Sequence, residues 1–207
     1  GTLTFTNNVG ATLRKSAGTG STLLGSGGGG TPNGVNLNNA GTVDVQTGTL
    51  AINFYGGVAP AGSVTNTGTM TVAAGATLNL STGTFTQSGS IILGGTGATL
   101  LRPSGFINSG LLGGVGTVTV GTGVNALTSR GTLQAGTSPG TLTINGDLVL
   151  DGVNGSVTNV ELAGTTPGTL YDVINVSGQV RGGAGDTSNW GTLNVAHLGG
   201  FTPTSGD

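Results

Sequence analysis

Cysteine is absent from this chain, and charge and aromatic rings are scarce. Without cysteine there are no disulfides, no thiolate nucleophiles and no cysteine-rich zinc sites. Five basic residues stand against seven acidic ones, and the net charge of −2 offers no basic face for phosphates. Nucleic acid is therefore excluded as a partner. No run approaches the roughly 18 apolar residues of a membrane-spanning helix, so the chain is not embedded in a membrane that way. Good helix formers are also few, because Thr, Gly, Asn and Val dominate. Behind Gly1 there is neither a basic segment nor an apolar one of the export-signal type. The expectation is a mature or excised fragment whose export signal has been removed.

What is present is glycine, at 45 of 207 residues. It does not recur at every third position, which excludes collagen. Disorder demands high net charge and few β-branched residues, whereas here Thr, Val and Ile are abundant and only 6% of residues are charged. An all-β chain with many tight turns remains.

The turns repeat. Asn39-Ala40-Gly41, Asn66-Thr67-Gly68, Gln87-Ser88-Gly89, Asn108-Ser109-Gly110 and Ser129-Arg130-Gly131 share one form, and their glycines lie 27, 21, 21 and 21 residues apart. Four positions before each glycine is an apolar residue: Leu37, Val64, Phe85, Phe106 and Leu127, a series that Leu148 extends. Two positions after come Val43, Met70, Ile91, Leu112 and Leu133. Four positions after come Val45, Val72 and Leu93, then a gap at Gly114, then Ala135. Within each unit apolar and polar residues alternate, as in Gly68-Thr69-Met70-Thr71-Val72, which marks strands with one buried face. A further strand carries the pairs Leu50 and Ile52, Leu78 and Leu80, Val118 and Val120, Leu142 and Ile144; Arg102 after Leu100 breaks the pattern.

One unit cannot bury its own apolar side chains, but stacked units can. The pattern predicts an all-β fold: a single right-handed parallel β-helix (solenoid) with about 21 residues per coil and roughly ten coils, a rod on the order of 45–50 Å long at ~4.8 Å per coil. It spans 1–207, with less regular coils and a Gly-rich loop over 1–36, regular coils over 37–150 and looser ones over 151–207. Glycine serves corners that need positive φ or close backbone approach. Asn66, Gln87 and Asn108 are expected to stack as an amide ladder. A β-sandwich would not keep like residues in register at a spacing of 21.

Irregularities mark where function would sit. The first long unit carries its excess around Phe54-Tyr55-Gly56-Gly57-Val58-Ala59-Pro60, and insertions in solenoids become loops on one face. Residues 25–34 form a second loop. Arg14-Lys15 reads as a solvated corner, and Ile92, Leu101 and Leu111 as outward apolar residues of the ordinary scattered kind, the alternative being a lateral contact surface or cover by another segment. Asp147 and Asp151 are close in sequence and Glu161 approaches them one coil later, but Gly146-Asp147 and Asp151-Gly152 are turn dipeptides. His197 has no evident catalytic partner. No catalytic residue, cofactor or metal site is predicted: Gly182-Gly183-Ala184-Gly185-Asp186 and Gly94-Gly95-Thr96-Gly97-Ala98-Thr99-Leu100 supply too few oxygen ligands for calcium. Thr49, Thr77, Thr99, Thr117 and Thr141 form an outward file whose companion is too irregular for an ice-binding lattice. For sugar stacking the candidate binding residues are Tyr55 and Trp190, with Tyr171 as a further ring.

Gly116-Thr117-Val118-Thr119-Val120, and the run Gly131-Thr132-Leu133-Gln134-Ala135-Gly136-Thr137-Ser138-Pro139-Gly140-Thr141-Leu142-Thr143-Ile144-Asn145-Gly146-Asp147-Leu148, resemble the passenger regions of bacterial autotransporters and related Gly/Thr-rich surface proteins. There a G-T-L-x-P-G-x-S-P-G-T-L-T-I-x-G-D segment recurs; Ala135 stands here where proline is usual. Leu170-Tyr171-Asp172-Val173-Ile174-Asn175-Val176-Ser177-Gly178, Gly191-Thr192-Leu193-Asn194-Val195 and the segment from Gly200 to Asp207 fit the same ending. The resemblance covers 110–207 and is compositional before that. It implies an exported, extracellular stalk on a bacterial cell surface, serving in adhesion, aggregation, biofilm or surface coats. It also implies a chain that continues past Asp207, and it carries over no catalytic residues. The partners it suggests are further copies of the chain, or glycans and proteins of a host, cell surface or matrix. The alternatives are a self-assembling filament subunit and a glycan-binding or glycan-processing β-helix.

Overall fold

The computed structural model describes residues 3–25, 34–52, 62–136, 138–183 and 189–204. The chain is all-β with parallel strands in stacked sheets, an arrangement compatible with a β-solenoid. Its only helical segments among the described residues are two 3-10 turns, Gly123–Asn125 and Gly152–Asn154.

Strands line up in three rows. The first row has eight: Leu3–Asn7, Val35–Asn39, Ser63–Asn66, Thr84–Gln87, Phe106–Asn108, Leu127–Ser129, Leu148–Leu150 and Val180–Gly182. The second row starts with Thr12–Lys15, Thr42–Val45 and Thr69–Val72 and ends with Thr132–Ala135, Val157–Leu162 and Thr192–His197. Ser21–Leu24, Thr49–Ile52, Thr77–Asn79, Thr141–Asn145 and Val173–Val176 belong to the third. The long strands Ser90–Leu101 and Leu111–Thr119 cross from second row to third. The first of them slips register between Gly94 and Thr99. Gly114 sits at φ +103, and a Cβ there would collide with the Leu93 backbone, so the gap in the apolar file is a position that needs glycine.

Partners 21 residues apart recur as Ser63↔Thr84, Gln87↔Asn108, Phe106↔Leu127 and Leu127↔Leu148. Elsewhere the step lengthens to 32 residues, as in Leu3↔Val35 and Leu148↔Val180, and the first row holds eight strands among the described residues. The apolar files converge on one core in which Leu37, Met70, Ile91, Leu112, Leu127 and Leu133 have no exposed surface. Each such residue contributes roughly 1.5–3 kcal/mol on burial. Phe85 and Phe106 lie over one another with ring centroids 5.3 Å apart.

Three local expectations change. Ile144, not Leu142, lies opposite Val118, and Leu142 falls opposite Gly116. The outward file accordingly runs Thr49, Thr77, Thr99, Thr117 and then Thr143 rather than Thr141. Arg102 follows Leu101, opposite Leu80, and is buried; its guanidinium donates to the carbonyls of Leu80, Thr82, Gly83 and Gly105. It ties the turn at 80–83 to the turn at Gly105, where a leucine would only fill space. Lys15 is likewise no solvated corner: it is buried in the file of Val45 and Val72, and its ammonium donates to the carbonyls of Ala17 and Gly18. Ile92, Leu101 and Leu111 are half-buried.

The amide ladder begins earlier and stops sooner than expected. Asn7 donates to Asn39, Asn39 to Asn66 and Asn66 to Gln87, each at 2.7 Å. The second N–H of each Asn goes to a carbonyl, of Thr42, Thr69 and Ser90 in turn. Gln87 turns its longer amide back onto the Gly89 carbonyl, and Oδ1 of Asn108 is left buried without a protein partner. Beside this ladder the glycines of the repeat sit so close that a Cβ on Gly68, Gly89, Gly110 or Gly131 would collide with the backbone of the preceding repeat.

Replacing Asn66 by Ala strands the Asn39 amide and the Gln87 carbonyl oxygen inside the protein. The expected loss is about 3 kcal/mol in urea unfolding. Thr65→Ala, one residue away on the outer side, is expected to stay within about 0.5 kcal/mol. Equal losses would show that the ladder contributes nothing particular.

Candidate functional site

The widest departure from the repeat follows strand Val157–Leu162. Gly164-Thr165-Thr166-Pro167-Gly168 is turn chemistry between two apolar runs. Gly168 takes φ +69, and the Thr166 carbonyl accepts from the backbone N–H of Leu170 and Tyr171. The chain doubles back so that Leu162 and Tyr171 form an antiparallel bridge.

Two hollows lie back to back on this hairpin. One, of about 240 Å³, is lined by Gln134, Gly136, Asn159, Glu161, Asp172 and Asn194, among others. The other, of about 270 Å³, is lined by Leu162, Gly164, Thr165, Tyr171, Phe201 and Pro203. Glu161 and Asp172 thus face the first hollow and their chain neighbours Leu162 and Tyr171 the second.

The register builds the polar hollow. Gln134, Asn159 and Asn194 are successive partners across the second row, and Asn194 donates to Asn159 at 3.0 Å. Gln134 donates to the Gly136 carbonyl at 2.9 Å. The carboxylate of Asp172 accepts the backbone N–H of Gly140 at 2.8 Å and of Glu161 at 3.0 Å. Burial pushes the Asp172 carboxyl above the ordinary carboxylate range, outweighing those two N–H groups. Oε2 of Glu161 is buried with no hydrogen-bond partner in the protein.

Asp147 and Asp151 are not gathered with Glu161. Asp147 accepts the backbone N–H groups of Gln179 and Gly123, which hold its carboxyl below the usual range, and Arg181 stands 3.5 Å away. Asp151 accepts from Arg130 and Asn154, both at 2.9 Å. Burial pulls Asp151 upward, but these bonds together bring it below its usual value. Asp44 is lowered the same way, burial being overcome by Thr71, Arg14 and Gln46. These three carboxylates are staples of the fold. His197 is exposed at a strand end, and no group of three metal-ligating side chains occurs among the described residues. Asp186 lies outside the described residues.

Of the two candidate sugar-stacking residues, Tyr55 lies outside the described residues. Trp190 is 44% exposed just before the last strand and lines neither hollow. Tyr171 does line one, beside Phe201. Sequence reasoning missed the hairpin and the pairing of Glu161 with Asp172; the Pro167-Gly168 dipeptide was the available signal. No protein-family model, curated protein or solved structure matches the chain.

The shifted carboxyls have opposite consequences. A lowered folded value contributes stability above the unfolded value, near 3.9, that is lost as pH falls through the folded one. Asp147→Asn is therefore expected to be less stable than the parent at pH 7, with the gap closing toward pH 2 in urea titrations. Asp172 is raised, so its contribution is present at low pH and lost as pH rises through its folded value. Asp172→Asn is expected to gain on the parent as pH rises from 2 to 7. A constant offset for both variants would contradict these assignments.

Proposed function

We propose that the chain is a single right-handed parallel β-helix, about 21 residues per coil where no insertion intervenes, acting as a non-enzymatic structural or adhesive rod of an exported bacterial surface protein. The hand rests on the strong rule for crossovers between parallel strands of one sheet. The role is adhesion, aggregation or formation of a surface coat outside the cell, as the autotransporter-like motifs suggest.

One observation carries this reading: parallel pairing continues through all eight strands of the first row, while Asp44, Asp147 and Asp151 are spent on holding corners. The outward positions left over are largely Thr, Ser, Asn and scattered aliphatics, as in Thr84 and Thr86 or Thr128 and Ile107. Such repetitive faces bind by adding many weak contacts. Beads coated with the chain are expected to clump, more so at higher loading; inert beads at every loading would overturn the reading.

A second reading, a fibre subunit, is favoured by the two ends of the stack. Leu3 (66% exposed) and Phe5 (38%) crown one end, Leu193 (64%) and Val195 (48%) the other. Open strand edges accept a further strand, from a longer chain or a second copy. Sedimentation at increasing concentration is expected to show growing head-to-tail species; a fixed monomer up to millimolar concentration would remove this reading.

A further inference from the structure

We propose that Asn154 is a site of spontaneous covalent modification. Its side chain closes onto the backbone nitrogen of Gly155, loses ammonia and ends as aspartate or isoaspartate, and the change loosens the corner that Asp151 holds. This property is independent of what the rod adheres to.

The reaction needs an asparagine followed by a residue without a Cβ, so that the backbone nitrogen reaches the side-chain carbonyl carbon unhindered. The nitrogen of Gly155 gives up its proton and bonds Cγ of Asn154. The side-chain nitrogen leaves as ammonia, and a five-membered imide remains. One water then opens the ring. Attack at the side-chain carbonyl gives aspartate. Attack at the main-chain carbonyl gives isoaspartate, whose backbone runs through the former side chain and is one methylene longer.

The surroundings decide which pair reacts. The sequence holds three Asn-Gly pairs, at Asn33, Asn145 and Asn154, and Asn33 lies outside the described residues. Around Asn145 the backbone is clamped. Its carbonyl accepts the N–H of Val120 at 2.9 Å, and the N–H of Gly146 donates to Oγ of Ser177 at 3.0 Å. A Cβ on Gly146 would come within 2.6 Å of the Val120 carbonyl, so the backbone there has no room to turn. Asp151-Gly152, which can form the same ring with loss of water, is packed too: Asp151 is buried, and a Cβ on Gly152 would collide with Asn189 and Gly191.

Asn154-Gly155 differs on every count. Both residues are exposed. A Cβ on Gly155 would meet nothing nearer among the described residues than the Arg130 carbonyl at 3.6 Å. The 3-10 turn Gly152–Asn154 buries none of its residues and has no side-chain cap. The Gly155 N–H is held only by the Gly152 carbonyl, at 3.2 Å. A single turn of this kind opens at little cost, which frees the nitrogen and lets the Asn154 backbone rotate into reach. The Asn154 side chain has one tether, its Nδ2 donating to Oδ2 of Asp151 at 2.9 Å.

That tether is what the modification destroys. Oδ2 of Asp151 accepts from both Arg130 and Asn154. Once ammonia has left, a second carboxylate stands where a donor stood, and like charges face each other. The corner between strands Leu148–Leu150 and Val157–Leu162 therefore weakens as the protein ages.

The test incubates the whole chain at 37 °C at pH 6, 7.5 and 9, folded and in concentrated urea. Peptide mass mapping follows each Asn-Gly pair, and an isoaspartyl methyltransferase marks isoaspartate. In the folded chain Asn154 is expected to convert about tenfold or more faster than Asn145, a barrier difference of ~1.4 kcal/mol, and faster as pH rises because the attacking nitrogen must lose its proton. In urea the two are expected to convert alike. Asn154 intact in the folded chain while the urea sample converts overturns the proposal, and so does folded Asn145 keeping pace with it. Asn154→Asp, which installs one product directly, is expected to unfold at lower urea than Asn154→Gln at pH 7, with the gap closing toward pH 2 as the facing carboxylates take up protons. Equal midpoints at pH 7 overturn the loosening of the corner.

Discussion

Everything in this protein depends on one constraint: equivalent residues of successive windings must lie directly over one another. The corner after the first row shows why this is self-reinforcing. An asparagine buried alone would carry two unanswered N–H groups and a carbonyl oxygen. Stacked on its own kind it is answered completely, since Asn39 accepts from Asn7 and donates both to Asn66 and to the Thr69 carbonyl. A slip of one residue in the strand of Asn66 would put Thr65 or Thr67 in place of the amide and cut the file. The neighbouring glycines enforce the same register sterically, because only a missing Cβ lets one repeat settle onto the carbonyls of the last.

Polar chemistry in such a stack is mostly consumed by structure. Arg102 answers four carbonyls, Lys15 two, and Asp147 two backbone N–H groups. With 6% charged residues, little remains for other work once these are assigned.

The core files were legible in the sequence because their information is periodic. Leu37, Val64, Phe85, Phe106 and Leu127 advertise their stacking by spacing alone, and the registers agree. What escaped was aperiodic. Arg102 read as a defect because a guanidinium buried against carbonyls has no spacing signature; its partners come from two different turns. The end of the ladder at Gln87 depends on one extra methylene that redirects the amide. Leu142 and Ile144 slid by two positions because the strand Thr141–Asn145 follows a connection of its own length, and alternation looks the same after a shift of two. The polar hollow was the least legible: Glu161 and Asp172 are 11 residues apart and meet beside the Leu162–Tyr171 bridge.

That last point bears on how a rod acquires specificity. Regular windings present hydroxyls and methyls on near-flat faces, which suit many weak and undiscriminating contacts. A concave hollow needs an interruption, yet an interruption in a first-row strand would break the parallel pairing that runs through that row. The hairpin resolves this by leaving between second row and third, after Leu162, and rejoining before Val173, so that Thr141↔Val173 and Leu148↔Val180 still pair. The cost is confined to longer steps, 32 residues in the first and third rows and 35 in the second, while the parallel pairing continues on either side. The interruption therefore falls at a place the stack tolerates: a connection between rows, whose backbone groups answer each other as those of Glu161 and Asp172 do.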